Sequence, residues 1–192
     1  MAVAVGLAIA VLAGCGSGQS ANKKTANPQT AESFKPAQLA TADKRLQAIY
    51  AQRNKLVGGG KVAFRGRITN LTGLPIVVNK WASWCGPCGF EFPFFQEEAR
   101  LRGSEVAFLG VNTNDASDEA SAFLANYPVP FPSFSDPHAE VANELGNVVD
   151  FPTTAFYDAS GKLQHLKRGG YQDRSALAAD IERYASVSEP TN

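Results

Sequence analysis

Two cysteines three residues apart, Cys85 and Cys88, enclose a Gly-Pro dipeptide in Trp84-Cys85-Gly86-Pro87-Cys88. The apolar run Ile76-Val77-Val78 leads into them and a helix-like stretch leads out, so the thiols fall where a strand turns into a helix. Unpaired N–H groups and the macrodipole at a helix N-terminus favour negative charge. A thiol in that place, Cys85, loses its proton more readily than a free cysteine, and the thiolate is the reactive form. Cys88, one helical turn deeper, can attack a mixed disulfide on Cys85 and release the partner. The pair reads as a two-electron thiol–disulfide exchange site whose redox group is the Cys85–Cys88 disulfide itself, with no cofactor.

Other uses of such a pair weigh less. Zinc wants four ligands, and beyond Cys15 only His138 and His165 are at hand, singly placed, so no metal is expected. A structural disulfide usually closes a longer loop. An inert buried pair is the plainest alternative, and the Trp before and helix after fit it less well. A peroxidase needs a Pro/Thr-rich surround that Ala82-Ser83-Trp84 does not offer. Glu91, three residues past Cys88, is its neighbour on a helix. If buried, its pKa rises and it can carry a proton to or from Cys88; otherwise it is a solvated surface residue.

The elements that must hold these groups can be read outward from them. Residues 76–81 form a central strand covered on both faces. A helix runs from Pro87 to Arg102 with Phe92, Phe95 and Ala99 inward. Val106–Val111 is a second buried strand, Asn112–Asp115 a turn, and Ser117–Tyr127 a helix. Pro128–Pro132 is an extended connection, and Asp136–Leu145 a short helix. Phe151–Asp158 is a strand, turning through Asp158-Ala159-Ser160-Gly161 into Lys162–Lys167, and Arg174–Tyr184 is a terminal helix. Upstream, Leu39–Leu56 has helical spacing with Thr41 or Asp43 as cap, and residues 61–72 favour helix over strand. The expected order is β-α-β-α-β-β-α, an α/β fold with a central mixed sheet flanked by helices and an N-terminal helical extension. His138 and His165 are expected to be surface or packing residues.

The 192 residues suit one domain with appendages. Hydrophobic residues make up 44%, enough for a sizeable core, and a formal net charge of +0 argues against a nucleic-acid partner. Residues 2–14 are uncharged and apolar up to Cys15, too short to span a membrane but of the length of a secretory signal core. The expected division is therefore 1–15 signal, 16–37 a disordered polar tether, 38–60 the helical extension, 61–186 the main domain and 187–192 a disordered tail. If Cys15 is consumed by a modification, Cys85 and Cys88 remain as a pair.

Two resemblances follow from these residues. Leu12-Ala13-Gly14-Cys15 resembles a bacterial lipobox, which implies that Cys15 is lipidated and anchors the protein to the cell membrane on its extracytoplasmic side. The string Val78-Asn79-Lys80-Trp81-Ala82-Ser83-Trp84-Cys85-Gly86-Pro87-Cys88-Gly89-Phe90-Glu91-Phe92-Pro93 is similar to the TlpA/ResA/DsbE-like branch of thioredoxin-fold oxidoreductases. In that branch Asn79 stands where thioredoxin has a buried Asp, and Pro93 matches a proline inside the active-site helix. Phe151-Pro152-Thr153 resembles the cis-proline segment that faces the two cysteines. The resemblance implies a thioredoxin-like fold, with Cys85, Cys88 and Glu91 catalytic. It also implies that Trp84, Gly86, Pro87, Phe151, Pro152 and Thr153 form the surface for a client chain. Partners would be extracytoplasmic protein thiols and disulfides, apocytochrome c among them, and a membrane electron donor or acceptor, with the protein a monomer. A disulfide-donating oxidase and a non-enzymatic client-binding protein are the alternatives. Two departures from the branch stand out: Gly89-Phe90 replaces basic residues, and Lys80 replaces an aromatic or aliphatic one.

Overall fold

The structure, a computed structural model, describes residues 1–2, 29–146 and 149–185. Cys15, nearly all of the expected signal, the first part of the tether and the C-terminal tail lie outside the described residues. The elements in chain order are α1 (Lys44–Ala51), β1 (Leu56–Val57), α2 (Gly60–Asn70), β2 (Ile76–Trp81), α3 (Gly86–Arg102), β3 (Ala107–Thr113), α4 (Ser117–Asn126), β4 (Ser133–Asp136), α5 (Glu140–Glu144), β5 (Thr153–Tyr157), β6 (Leu163–Arg168) and α6 (Arg174–Tyr184).

β2 is buried along its whole length, as its β-branched run requires. It lies inside a six-stranded sheet of order β1-β4-β3-β2-β5-β6. β1, β4, β3 and β2 run parallel, joined in part by the helical crossovers α3 and α4, while β5 and β6 are antiparallel. Side chains alternate across a strand, so Asn79 and Trp81 face one way and Lys80 the other. On the first face Trp81 stacks on Phe123 of α4 at 4.9 Å and meets Phe92 of α3 edge-on at 5.3 Å. Its indole N–H donates to the Ser133 hydroxyl at 3.1 Å, directly over Gly110. A Cβ at Gly110 would stand 2.1 Å from Ser133 Oγ, so only glycine fits beneath that bond.

Three expectations need correction. β4 falls between the expected proline-rich connection and the expected helix, because Ser133 and Asp136 are polar yet buried, each satisfied by hydrogen bonds from Trp81, Thr113, Val141 and Ala142. The helix expected over Leu39–Leu56 is only Lys44–Ala51. Asp43 caps it by accepting the Arg45 N–H at 2.8 Å, and Leu56–Val57 pairs with β4 as a sheet edge rather than belonging to an extension. The tether was expected to reach residue 37, but Ala31–Phe34 form a 3-10 turn against α3, with Ala31 and Phe34 buried. Glu32 there accepts from the Tyr50 hydroxyl at 2.7 Å and pairs with Arg53 at 3.1 Å. Burying Phe34 contributes about 1.5–3 kcal/mol, and a lone Phe in a polar stretch gives no periodicity to find it by.

Candidate active site

At the C-terminal end of β2 the chain turns through buried Ala82 into the motif. The Ser83 N–H and hydroxyl both donate to the Asp115 carboxylate, at 2.6 and 2.7 Å. Asn112 Nδ2 and the Ala116 N–H bind the same carboxylate at 2.7 and 3.0 Å. The Trp84 indole N–H donates to the Asn114 carbonyl at 3.0 Å, and Asn114 takes the left-handed conformation at φ 53 that asparagine tolerates. The turn after β3 therefore holds the turn after β2. Sequence reading saw only a turn at Asn112–Asp115; an Asp next to a helix start was its one available signal.

Cys85 is the N-cap residue of α3, and Cys85 and Cys88 form a disulfide with Cα atoms 5.3 Å apart. Cys85 Sγ accepts the Cys88 N–H at 3.2 Å, so the helix N-terminus acts directly on that sulfur. Both sulfur-bearing residues are buried, while Gly86 and Pro87 are exposed beside them. Trp84 and Phe90 flank them as exposed aromatic surface, each 59% accessible, and Phe90 meets Phe94 edge-on at 5.6 Å.

Glu91 lies one turn beyond Cys88 and is fully buried. Its carboxylate accepts from Asn79 Nδ2 at 2.7 Å and from the Tyr171 N–H at 2.9 Å. Burial pushes its pKa up to about 7, and these two hydrogen bonds and the Lys167 charge oppose the rise without cancelling it. Lys167 Nζ also donates to the Gly169 and Gly170 carbonyls at 2.6 and 2.8 Å, fixing the loop that carries the Tyr171 N–H. Gly170 closes this corner: a Cβ there would touch Pro152, Pro87 and Glu91 at 3.6–3.7 Å. The Lys167–Gly170–Tyr171 support was not expected; no short-range spacing links it to Glu91, 80 residues away.

The Phe151–Pro152 peptide bond is cis, and the segment lies beside the disulfide, with the Phe151 ring 4.7 Å from that of Trp84. Thr153 differs from expectation. Its side chain is buried and its hydroxyl donates to the Asp150 carbonyl at 2.8 Å, so it shapes the loop instead of offering a side chain to a partner. Pro152 is also buried, and its carbonyl accepts the Gly169 N–H at 2.9 Å. His138 is exposed, and His165 is stacked on Tyr184 at 4.3 Å; neither is part of this constellation. Among the described residues no helix is long and apolar enough to cross a membrane.

Residues 67–181 match the protein family described as Redoxin. The thiol-disulfide oxidoreductase ResA of Geobacillus thermodenitrificans is 30% identical over 125 residues, 65% of this chain and 68% of that protein. ResA of Oceanobacillus iheyensis is 28% identical over 104 residues, and the chain spans about half of that relative's length, 54%. Among solved structures, a thiol:disulfide interchange protein DsbE from Chlorobium tepidum superposes with a TM-score of 0.55 at 30% identity, covering 62% of this chain and 85% of that one. The sheet order, the disulfide at the start of α3 and the matched span agree: this chain has a thioredoxin-like fold and belongs to the Redoxin family.

Proposed function

We propose that this protein is a thiol–disulfide oxidoreductase that reduces disulfides of extracytoplasmic proteins, held at the membrane by lipid on Cys15. The observation that carries the reaction is the Cys85–Cys88 disulfide capping α3, with a buried carboxyl of near-neutral pKa one turn behind it. In the reduced protein the Cys85 thiolate attacks one sulfur of a client disulfide. A Cys85–client bond forms, and the other client sulfur leaves and takes a proton. Cys88 passes its proton to Glu91 and attacks the Cys85 sulfur, releasing the second client thiol and leaving Cys85–Cys88 oxidised. A donor dithiol then returns two electrons and two protons. A group that must both accept and give a proton works best with a pKa near the operating pH, which is where burial holds Glu91.

The client surface is the aromatic rim of Trp84 and Phe151 with Gly86 and Pro87, and Pro152 and Thr153 shape the loop beneath it. The direction rests on the residues after Cys88. No basic side chain stands at Gly89 or Phe90 to stabilise the Cys85 thiolate further, which favours a reductant over a disulfide donor. Extracytoplasmic thioether-forming polypeptides such as apocytochrome c are the clients to test first. Cys88→Ser should trap a mixed disulfide on Cys85, and equilibration of the wild type with a glutathione series should give a midpoint near that of reducing dithiols, about −270 mV. A midpoint close to that of a strong oxidant, about −120 mV, would replace the reductase with a disulfide donor. Cys15→Ser should release the protein from membranes; wild type already wholly soluble would remove the anchor.

A further inference from the structure

Lys80 is the residue of β2 whose side chain is hardest to account for by packing alone. It is fully buried, on the sheet face opposite Asn79 and Glu91. Its Nζ lies 3.7 Å from the centroid of the Phe151 ring, and that ring lies 4.7 Å from Trp84 at the rim of the disulfide. Lys80 is also the register partner of Thr153, so backbone pairing and the ammonium grip the same short loop. From outside, Arg168 pairs with Asp150 at 3.1 Å. An ammonium over an aromatic face is attracted to it, and more strongly where water is excluded.

We propose that Lys80 is a positioning residue for client docking: its ammonium fixes the Phe151 ring, and through it Trp84, where an apolar side chain next to the client's cysteine would lie. The inference rests on the thiol–disulfide exchange proposed above. Charged groups that act on the ammonium include Asp150 from the loop before β5, Asp136 at the end of β4, and Arg168 at the end of β6. Burial outweighs the two acids and lowers the Lys80 pKa to about 8, so the grip weakens as the solution turns alkaline.

Lys80→Met keeps an unbranched buried stem and removes the charge. Its KM for a peptide disulfide with Leu beside the cysteine is expected to rise about tenfold while kcat moves less than twofold. Wild-type KM should climb above about pH 8, and the variant's should stay flat across that range. Phe151→Leu should remove the same interaction, so adding Lys80→Met to it should change KM no further. A readout free of turnover is Trp84 emission in the oxidised Trp81→Phe protein, where Trp84 is the remaining indole. It should change through about pH 8 with Lys80 present and not in Lys80→Met. Unchanged KM together with pH-independent emission would overturn the proposal, as would additive effects in the double variant. A wild type that turns over no disulfide but retains the Lys80-dependent emission change would instead strike the exchange reaction and leave the Lys80–Phe151 grip standing.

Discussion

Asn79 and Lys80 are consecutive residues of one strand, and they serve two differently built sides of the disulfide. Toward α3, Asn79 meets a buried acid, Glu91, one turn beyond Cys88. Toward the opposite face, Lys80 is itself a buried base beneath the loop that carries Phe151. Desolvation acts on both and in opposite senses, raising Glu91 to about 7 and lowering Lys80 to about 8. The difference lies in what offsets it. Glu91 receives two hydrogen bonds on its charged form, while the Asp150 and Asp136 charges act on the Lys80 ammonium, which also faces the Phe151 ring. The same physical force thus brings an acid and a base toward the same pH range from opposite sides.

The largest expected effect falls on the acid side. Glu91→Gln keeps the size of the side chain, exchanges one acceptor oxygen for a donor that a turned Asn79 amide can accept, and removes the titration. Client release should slow about 100-fold, and the pH profile should lose its limb near 7. If rate and profile both survive, Glu91 is a structural residue and the acid side has no role in proton transfer.

Asn79→Ala comes next, with an effect of about tenfold. Losing a hydrogen bond to a charged group weakens the carboxylate by about 1.5–3 kcal/mol, which is one pKa unit or more. The limb assigned to Glu91 should therefore move upward by about one unit in stopped-flow measurements across pH. A downward move would mean that the amide stabilises the protonated acid instead.

Stability against pH separates the two sides without any client. Glu91 has a folded pKa above its ordinary 4.5, so its contribution is fully present below pH 4.5 and is lost as pH rises through about 7. Lys80 has a folded pKa below its ordinary 10.5, so between about pH 8 and 10.5 the unfolded chain binds more protons and stability rises with pH. Urea midpoints should show Glu91→Gln flattening the first slope and Lys80→Met the second. Crossed outcomes would reverse the comparison. The smallest effect belongs to a support shared by both sides: Ser83→Ala removes one of the hydrogen bonds to Asp115 and should cost about 1 kcal/mol, read as a modest fall in Tm.

The acid side was the more legible of the two. Cys85, Cys88 and Glu91 are spaced three residues apart on one helix, so helical periodicity alone makes them neighbours. The Lys80 side could not be read in this way, because Lys80 and Phe151 are 71 positions apart in the chain (151 − 80) and meet only through the β2–β5 pairing. Lys80 appeared in sequence only as a departure from the usual residue. Asp115 and Tyr171 were missed for the same reason: each reaches the site through a tertiary contact. β4 escaped because its buried polar residues are satisfied by elements far from it in sequence.

The sequence by itself determined that two thiols stand where the strand Ile76–Trp81 turns into a helix, though not the full order of the elements around them, since β4 was missed. A thiol pair between a β-branched run and a helix start places one sulfur at an N-cap wherever that helix lies, since capping is local chemistry. The tertiary structure decided what surrounds that centre. Whether Glu91 is a solvated surface acid or a buried one with a pKa near 7 depends on how Tyr171, Asn79 and Gly170 close over it. Whether Lys80 is a surface cation or a buried one beneath Phe151 depends on the strands and loops that exclude water from it. Desolvation is a property of the whole assembled surroundings, and it is the force that sets the charge of both groups.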